Sequence, residues 1–424
     1  MRVLVLGSGG REHALCWKIS QSPKLSQLFC APGNPGTAHI ATNIQVDLSN
    51  FESIKGVVIK YEIEMVVVGP EDPLVNGLKD FFAYDNQLNK ILFVGPDKNG
   101  AQLEGSKDFA KNFMFKYGIP TAKFQTFTKE NSDQAYDFLN TLSAPYVLKA
   151  DGLAGGKGVL ILDTIEEAYS QLKEILEGKF GSAGNRVVIE EYLAGIEMSL
   201  FVLTDGTDYI LLPEAKDYKR VGESDTGLNT GGMGSVSPVP FADAEFMKRV
   251  EERVVKPTIM GIENEKMDYS GFVFVGLMNC DGSPYVIEYN VRMGDPETQS
   301  VMPRIKSDFL KHLINASKKQ LSGDSIDVYN HTQLTLVTVS GGYPQEFKKG
   351  YPIMGLEKLG ASDYFVAGAK SNENNIVTNG GRVLNITASG NSINEARERL
   401  YDLVSRVNYQ DIYYRKDIGL DLIQ

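Results

Sequence analysis

Histidine and cysteine are both scarce in this 424-residue chain: His13, His39, His312 and His331, and Cys16, Cys30 and Cys280. Three scattered cysteines cannot build a disulfide framework or a zinc site, and they read as reduced thiols of a cytoplasmic protein. Neither residue type falls in the glycine-rich motifs of the central third, so nucleophilic imidazole or thiol chemistry and zinc chemistry are not expected there. Long apolar runs are also missing. Met65–Val68 is typical of those present, and a membrane-spanning helix needs ~20 residues. The apolar stretch at Val3–Leu6 is too short for a secretory signal. A basic excess is absent as well: 43 Lys and Arg stand against 54 Asp and Glu, a net charge of −11. That balance excludes a general nucleic-acid binder, which needs cations to neutralise phosphates. No nucleic-acid or membrane partner is therefore expected.

At ~150 residues per domain the length suggests about three domains, long enough to bury their cores without staples. The N-terminal third alternates short apolar strands with amphipathic helices. Val3–Leu6, Leu25–Cys30, Met65–Val68 and Ile91–Val94 are the strands, and helices are expected over Arg11–Gln21, Phe51–Tyr61 and Leu74–Tyr84. This is the pattern of a parallel sheet with helices on both faces. Each strand ends in a loop rich in Gly or Pro, and a parallel sheet gathers all four loops on one rim, where open α/β sheets bind ligands. The first loop, Gly7-Ser8-Gly9-Gly10, also opens a helix and suits an anion. A nicotinamide site is disfavoured. The glycine pattern lacks its last member, Glu12 standing there, and the second strand ends in Cys30-Ala31-Pro32-Gly33 with no carboxylate for ribose.

Tyr146–Ile161 reads as strand, glycine-rich loop, strand. Gly152 to Gly158 is not a Walker loop, because its spacing is wrong and Gly158 stands where Ser or Thr is required. Such a hairpin can still cover phosphates with backbone N–H groups, while Lys149 and Lys157 add positive charge. Val187–Glu197 is an apolar strand running into a connector with carboxylates, suited to a base edge and ribose hydroxyls. Lys216–Ser235 is too rich in glycine to build a core and presents N–H groups and three cations, Lys216, Lys219 and Arg220, to something anionic. In Tyr285–Glu297, strand alternation places Glu288 and Asn290 on one face, with Arg292 following if the strand persists. A carboxylate and an amide oxygen suit Mg²⁺, and Arg292 suits a charged oxygen. Metal, lysines, arginines and glycine loops together fit phosphoryl transfer.

The ordered motifs GSGGREHA, APGNPGT, VVGPEDPLV, AQLEGSK, VLKADGLAGGKGV, VIEEYL, DYKRVGESDTGLNTGGMGSVSP, VIEYNVRMGDPETQ and TNGGRVL resemble the phosphoribosylamine–glycine ligase family of the ATP-grasp superfamily. The resemblance spans Gly7 to Lys416 and is most specific in NTGGMG and RMGDPETQ. It implies an α/β and α+β multidomain chain. A parallel-sheet pre-ATP-grasp domain (1–103) would precede an ATP-grasp core (104–326, mobile subdomain about 121–190) and a small β-rich C-terminal domain (327–424). It implies ATP-dependent ligation of glycine to 5-phosphoribosylamine through glycyl phosphate in de novo purine synthesis, with ATP as co-substrate and Mg²⁺ or Mn²⁺ as cofactor. By motif, Lys107 and Lys149 would contact nucleotide phosphates under a cover of Gly155, Gly156, Lys157 and Gly158. Glu190, Tyr192 and Leu193 would hold adenine and Glu197 the ribose. Glu288 and Asn290 would bind the metal. Arg292 and Asp295 would orient the acyl phosphate and glycine, while Gly9, Gly10, Arg11, Glu12, Glu71, Asp72 and Pro73, with Lys219 and Arg220, would hold the phosphoribosylamine. Tyr218 stands where the family often has His, so no imidazole role carries over, and Met293 stands where Phe is frequent. A monomer is expected.

From His331 the chain turns β-rich, with Leu334–Val339 and Gly380–Thr387, and Ser392-Ile393-Asn394-Glu395 is a capping box opening a helix to about Val407. No catalytic signature is read there, only a cover or brace. Two other classes remain open at this point: a different ATP-grasp ligase of carboxylase or peptide type, and a non-enzymatic ATP-binding regulator.

Overall fold

The computed structural model describes residues 1–153, 158–373 and 375–423. Its first strand, Arg2–Gly7, lies inside a parallel array, between Gln27–Pro32 and Met65–Val68. These pair in turn with Thr42–Asn43 and Leu92–Pro96. The pleat explains why the strands are apolar throughout: Val3, Val5, Met65 and Val67 enter one core, and Leu4, Leu6, Val66 and Val68 enter the core on the opposite face. Helices Gly10–Ile19, Phe51–Lys60 and Leu78–Tyr84 accompany the strands. The second starts where Asn50 accepts a hydrogen bond from the Ser53 N–H (3.1 Å). The single helix expected over Leu74–Tyr84 is two, Glu71–Val75 and Leu78–Tyr84, because Gly77 between them takes a left-handed φ of 89°. Chain order reverses between Arg2–Gly7 and Met65–Val68. That switch point sets the first glycine loop beside Gly69–Pro73.

The sheet does not stop at the end of the N-terminal third. Tyr269–Cys280 pairs antiparallel with Ile196–Thr204 on one side and with Ser283–Asn290 on the other, the latter through a two-residue Asp281-Gly282 turn with positive φ at both residues. At its start, Tyr269 and Ser270 also pair with Pro96 and Gly95. One nine-stranded sheet therefore runs through the N-terminal and central thirds.

A separate four-stranded antiparallel sheet orders Phe124–Thr128, Arg186–Glu191, Tyr146–Ala150 and Val159–Leu162, with Phe127, Leu148, Leu172 and Ile189 fully buried beneath it. A five-stranded sheet orders Lys216–Asp217, Gly234–Ser237, Thr332–Val339, Arg382–Gly390 and Tyr364–Val366. Its first two strands come from the central third, so the glycine-dense segment does contribute to a core. Tyr218 and Val236 are buried with Leu334, Leu336 and Ile386, and Met233 is buried against Val337 and Val339. Helix Ile393–Ser405 backs this sheet, its first turn capped by Ser392 accepting from the Glu395 N–H (3.2 Å).

Candidate active site

A cleft of about 380 Å³ lies where the three sheets meet. Among its walls are Arg11 and Glu71 from the switch point, Lys107 and Lys111 from helix Lys107–Lys116, and Lys149, Gly158 and Glu190 from the four-stranded sheet. Asp217, Lys219, Glu288, Asn290, Arg292, Asp295 and Glu297 complete it, with Arg382 from the C-terminal third.

The nucleotide-side wall is built on helix Lys107–Lys116. Ser106 caps it, accepting from the Phe109 N–H (3.1 Å) and donating to Asp151 (3.0 Å); Asp151 is also gripped by Arg186 (2.8 Å). This ties the four-stranded sheet to the helix and brings Lys107 close enough to donate to the Gly152 carbonyl (2.9 Å). One turn on, Lys111 donates to Glu190 (2.8 Å) and to Thr121 (2.7 Å). Lys149 makes an ion pair with the other Glu190 oxygen (2.9 Å) and donates to the Ile287 carbonyl (3.2 Å). Two lysines thus flank one buried carboxylate. Burial, partly opposed by Glu190, lowers Lys111 to about 8.

Glu288 and Asn290 close the strand Ser283–Asn290 and both line the cleft. A register break lies between Gly276, opposite Glu288, and Leu277, opposite Val286. Neither side chain is hydrogen-bonded to a described residue, and both offer hard oxygen. Burial opposes ionisation of Glu288, yet Lys219, Lys149, Lys107 and Arg292 outweigh it and hold the carboxyl below its ordinary value. Among the described residues no three or more His, Cys, Asp or Glu side chains gather to hold a metal. A carboxylate and an amide oxygen side by side fit a hard cation that keeps phosphate oxygens and water as further ligands, as Mg²⁺ does.

The strand ends at Asn290, so Arg292 reaches the cleft by another route. It donates to Glu71 (3.2 Å), to the Met293 carbonyl (3.2 Å) and, as an ion pair, meets Glu104 (2.8 Å). Glu104 also accepts from the Val291 N–H (2.8 Å). Burial pushes Glu104 up to about 7 despite Arg292. Burial also disfavours the Glu71 anion, but Arg292 and Arg11 prevail and lower it. Lys219 pairs with Glu197; burial works against its charge, and Glu197, Asp217 and Glu288 more than restore it. Burial, opposed by Lys219 and reinforced by Glu297, Glu197 and Glu288, raises Asp217 to about 8.

Of the expected site residues, Arg11, Glu71, Lys107, Lys149, Gly158, Glu190, Lys219, Glu288, Asn290, Arg292 and Asp295 line the cleft, and the other described ones do not. Arg220 donates to the Gly227 carbonyl (2.8 Å) in the hairpin of Arg220–Gly222 and Thr226–Asn229 and does not line the cleft. Lys216 likewise points away, to Asp421, so only Lys219 of the three cations reaches the cleft. Tyr192 is exposed, and neither it nor Leu193 is a lining residue. Glu197 is not a lining residue and meets the cleft through its bond to Lys219. Asp72 is exposed and Pro73 is buried in its short helix. Glu12 is buried, accepting from the Gly9 N–H (2.6 Å) and from Arg11 (2.6 Å); Gly9 and Gly10 are not lining residues. Gly155, Gly156 and Lys157 lie outside the described residues. Tyr218 faces the C-terminal core, donating to Asp421 (2.5 Å), so position 218 does not point into the cleft at all.

Sequence reading missed Glu104, Lys111, Asp217, Glu297 and Arg382. Lys111 was findable, four residues after Lys107 on one helical face, and Asp217 stands two residues before Lys219. Arg382 gave no local signal, because its partners Asp295 and Gly231 lie 87 and 151 residues away, beyond the range of short-spacing rules.

Three family models cover the chain in order: the phosphoribosylglycinamide synthetase N domain matches residues 1–104, the ATP-grasp (A) domain 105–298 and the C domain 333–421. A phosphoribosylamine–glycine ligase of Fusobacterium nucleatum is 43% identical over 424 residues, covering 99% of this chain and 98% of that protein. One from Escherichia coli is 42% identical over 431 residues, covering 100% and 99%. The crystal structure of the phosphoribosylamine–glycine ligase of Thermotoga maritima superposes with a TM-score of 0.86 at 35% identity, covering 98% of this chain and all of that one.

Proposed function

The chain belongs to the phosphoribosylglycinamide synthetase family, and from that premise we propose how its residues divide the work. It is an ATP-dependent ligase of purine synthesis that joins glycine to 5-phosphoribosylamine, giving glycinamide ribonucleotide, ADP and phosphate by way of glycyl phosphate. It uses ATP and a divalent metal.

A carboxylate does not acylate an amine at neutral pH, because its oxygen leaves poorly. Transfer of the γ-phosphoryl to the glycine carboxylate breaks the P–O bond to ADP and makes phosphate the leaving group; attack by the amine then forms the amide. The protein's share is positioning and charge neutralisation. Lys107 and Lys149 bind the nucleotide phosphates, with Lys149 leaving Glu190 to do so. Glu190 faces the adenine edge beside Tyr192 and Leu193, and Glu197 the ribose. Glu288 and Asn290 hold Mg²⁺ or Mn²⁺, which when bound neutralises phosphate charge and fixes its geometry. Arg292, set by Glu71 and Glu104, steadies negative oxygens on the acyl phosphate. Asp295 faces the glycine and amine end, near Arg11 and Lys219. Gly152, Leu153 and Gly158, which line the cleft, stand on the side of the phosphates.

The observation that carries the assignment is one cleft in which Glu288 and Asn290 oppose Lys107, Lys149, Lys219 and Arg292. A coupled assay for ADP, with phosphoribosylamine generated in situ and glycine supplied or withheld, tests it. ADP release is expected only with both substrates and a divalent metal. Release that ignores phosphoribosylamine would point instead to another ATP-grasp ligase.

A further inference from the structure

Three arginines from three parts of the chain converge on the turn Arg292–Asp295. Arg11, from helix Gly10–Ile19 of the N-terminal third, donates to the Met293 carbonyl (3.2 Å), as does Arg292 itself (3.2 Å). Arg382, from the C-terminal sheet, donates to the Asp295 carbonyl (2.7 Å), to Asp295 Oδ1 (3.3 Å) and to the Gly231 carbonyl (2.6 Å). Position 231 is fitted to that guanidinium, since a Cβ there would lie 3.0 Å from Arg382 Cζ. Gln299 donates to the same Asp295 Oδ1 (2.8 Å). With Oδ1 held twice, Oδ2 accepts no hydrogen bond from a described residue and faces the first glycine loop, where a Cβ built on Gly9 would lie 3.5 Å away.

We infer that Arg382 is a positioning residue for the ligation: it latches Asp295 and the Gly231 loop so that Asp295 Oδ2 is presented to the amine-bearing substrate. The C-terminal sheet is thereby part of the acceptor end of the site and not only a cover. The inference rests on the role given above to Asp295. All three contacts come from one nitrogen, Nη1, so a lysine ammonium, with three donors, can replace them. A guanidinium gripping a substrate phosphate with both arms could not be replaced in that way.

The test uses the full-length enzyme with Arg382→Ala, Arg382→Lys, Asp295→Asn and the Arg382→Ala/Asp295→Asn double variant. Arg382→Ala is expected to lower kcat/KM for phosphoribosylamine by ~10–100-fold, the scale of a misplaced reacting group. The KM for ATP should stay within about twofold. Affinity for glycinamide ribonucleotide, measured by calorimetry without turnover, should weaken in parallel. Arg382→Lys should recover most of the loss. The double variant should be no worse than Asp295→Asn alone, since the latch acts through that carboxylate. The inference is overturned if Arg382→Ala is within about twofold of the parent in every constant. Additive losses, or no rescue by lysine, overturn it as well. A parent enzyme that neither turns over nor binds glycinamide ribonucleotide refutes the ligase reading itself, and this inference with it; an active parent with indifferent variants refutes this inference alone.

Discussion

Glu104 is a buried acid placed where its charge is costly, and that makes Glu104→Gln an informative perturbation. Its side chain is 5% exposed against Arg292, and burial carries its pKa from 4.5 to about 7. At about 1.4 kcal/mol per tenfold change in proton affinity, that displacement corresponds to about 3 kcal/mol. The sign follows from proton counts. Between pH 4.5 and 7 the unfolded chain releases this proton while the folded chain keeps it, so the folded state binds more protons and stability falls as pH rises. Glutamine removes the titration. It also disturbs one of two hydrogen bonds, since it can accept from Arg292 or from the Val291 N–H but presents an NH₂ to the other, a loss of ~1.5–3 kcal/mol. The variant is therefore expected to be the less stable protein near pH 4.5 and close to parity at pH 8. Urea-unfolding free energies, taken pairwise at each pH so that other titrations cancel, should converge by about 3 kcal/mol across that interval. Turnover should move the other way, falling ~10-fold or more at pH 8, because Arg292 loses the carboxylate it meets at 2.8 Å and keeps its hydrogen bond to Glu71 (3.2 Å). Parallel stability curves, with the difference constant within 1 kcal/mol, would refute the argument that burial loads Glu104.

Glu288→Ala should cut turnover by ~10³-fold with the fold intact, read as kcat through a Mg²⁺ titration; near-normal activity at saturating metal would remove Glu288 from the metal site. Gly10→Ala places a Cβ 2.1 Å from the Asn385 amide nitrogen and 2.6 Å from that of Gln299. Both amides are buried, and a loss of ~1–3 kcal/mol is expected, measured as a lowered unfolding midpoint. Leu148→Ala empties a fully buried position under the four-stranded sheet. It should cost ~2–5 kcal/mol and raise the KM for ATP more than that for glycine, since Lys149 is the next residue of the same strand.

The sequence was most legible where one element decides the outcome. Val3–Leu6 and Met65–Val68 are apolar on both faces because both faces are covered, and that alone gives a parallel sheet and its loop-bearing rim. Glu288 and Asn290 share a face by the two-residue period, which survives because the register break lies before them. The less legible parts are those set by distant chain. Arg292 lies past its strand end and is aimed by Glu71 and Glu104, more than 180 residues earlier. The glycine-dense segment reads as coreless, yet two short stretches of it complete a sheet whose other strands begin near residue 332. Arg220 looks like Lys219 in the sequence, but the hairpin of Arg220–Gly222 with Thr226–Asn229 carries it away from the cleft.

The strands Lys216–Asp217 and Gly234–Ser237 therefore constrain how this chain can be cut or recombined. A fragment ending at residue 326 would strip Gly234–Ser237 of its neighbour Thr332–Val339, leaving an open backbone edge beside apolar Val236, a template for self-association. Chimaeras that exchange the C-terminal portion between relatives would need to carry 216–237 with it, because the functional module is discontinuous along the gene.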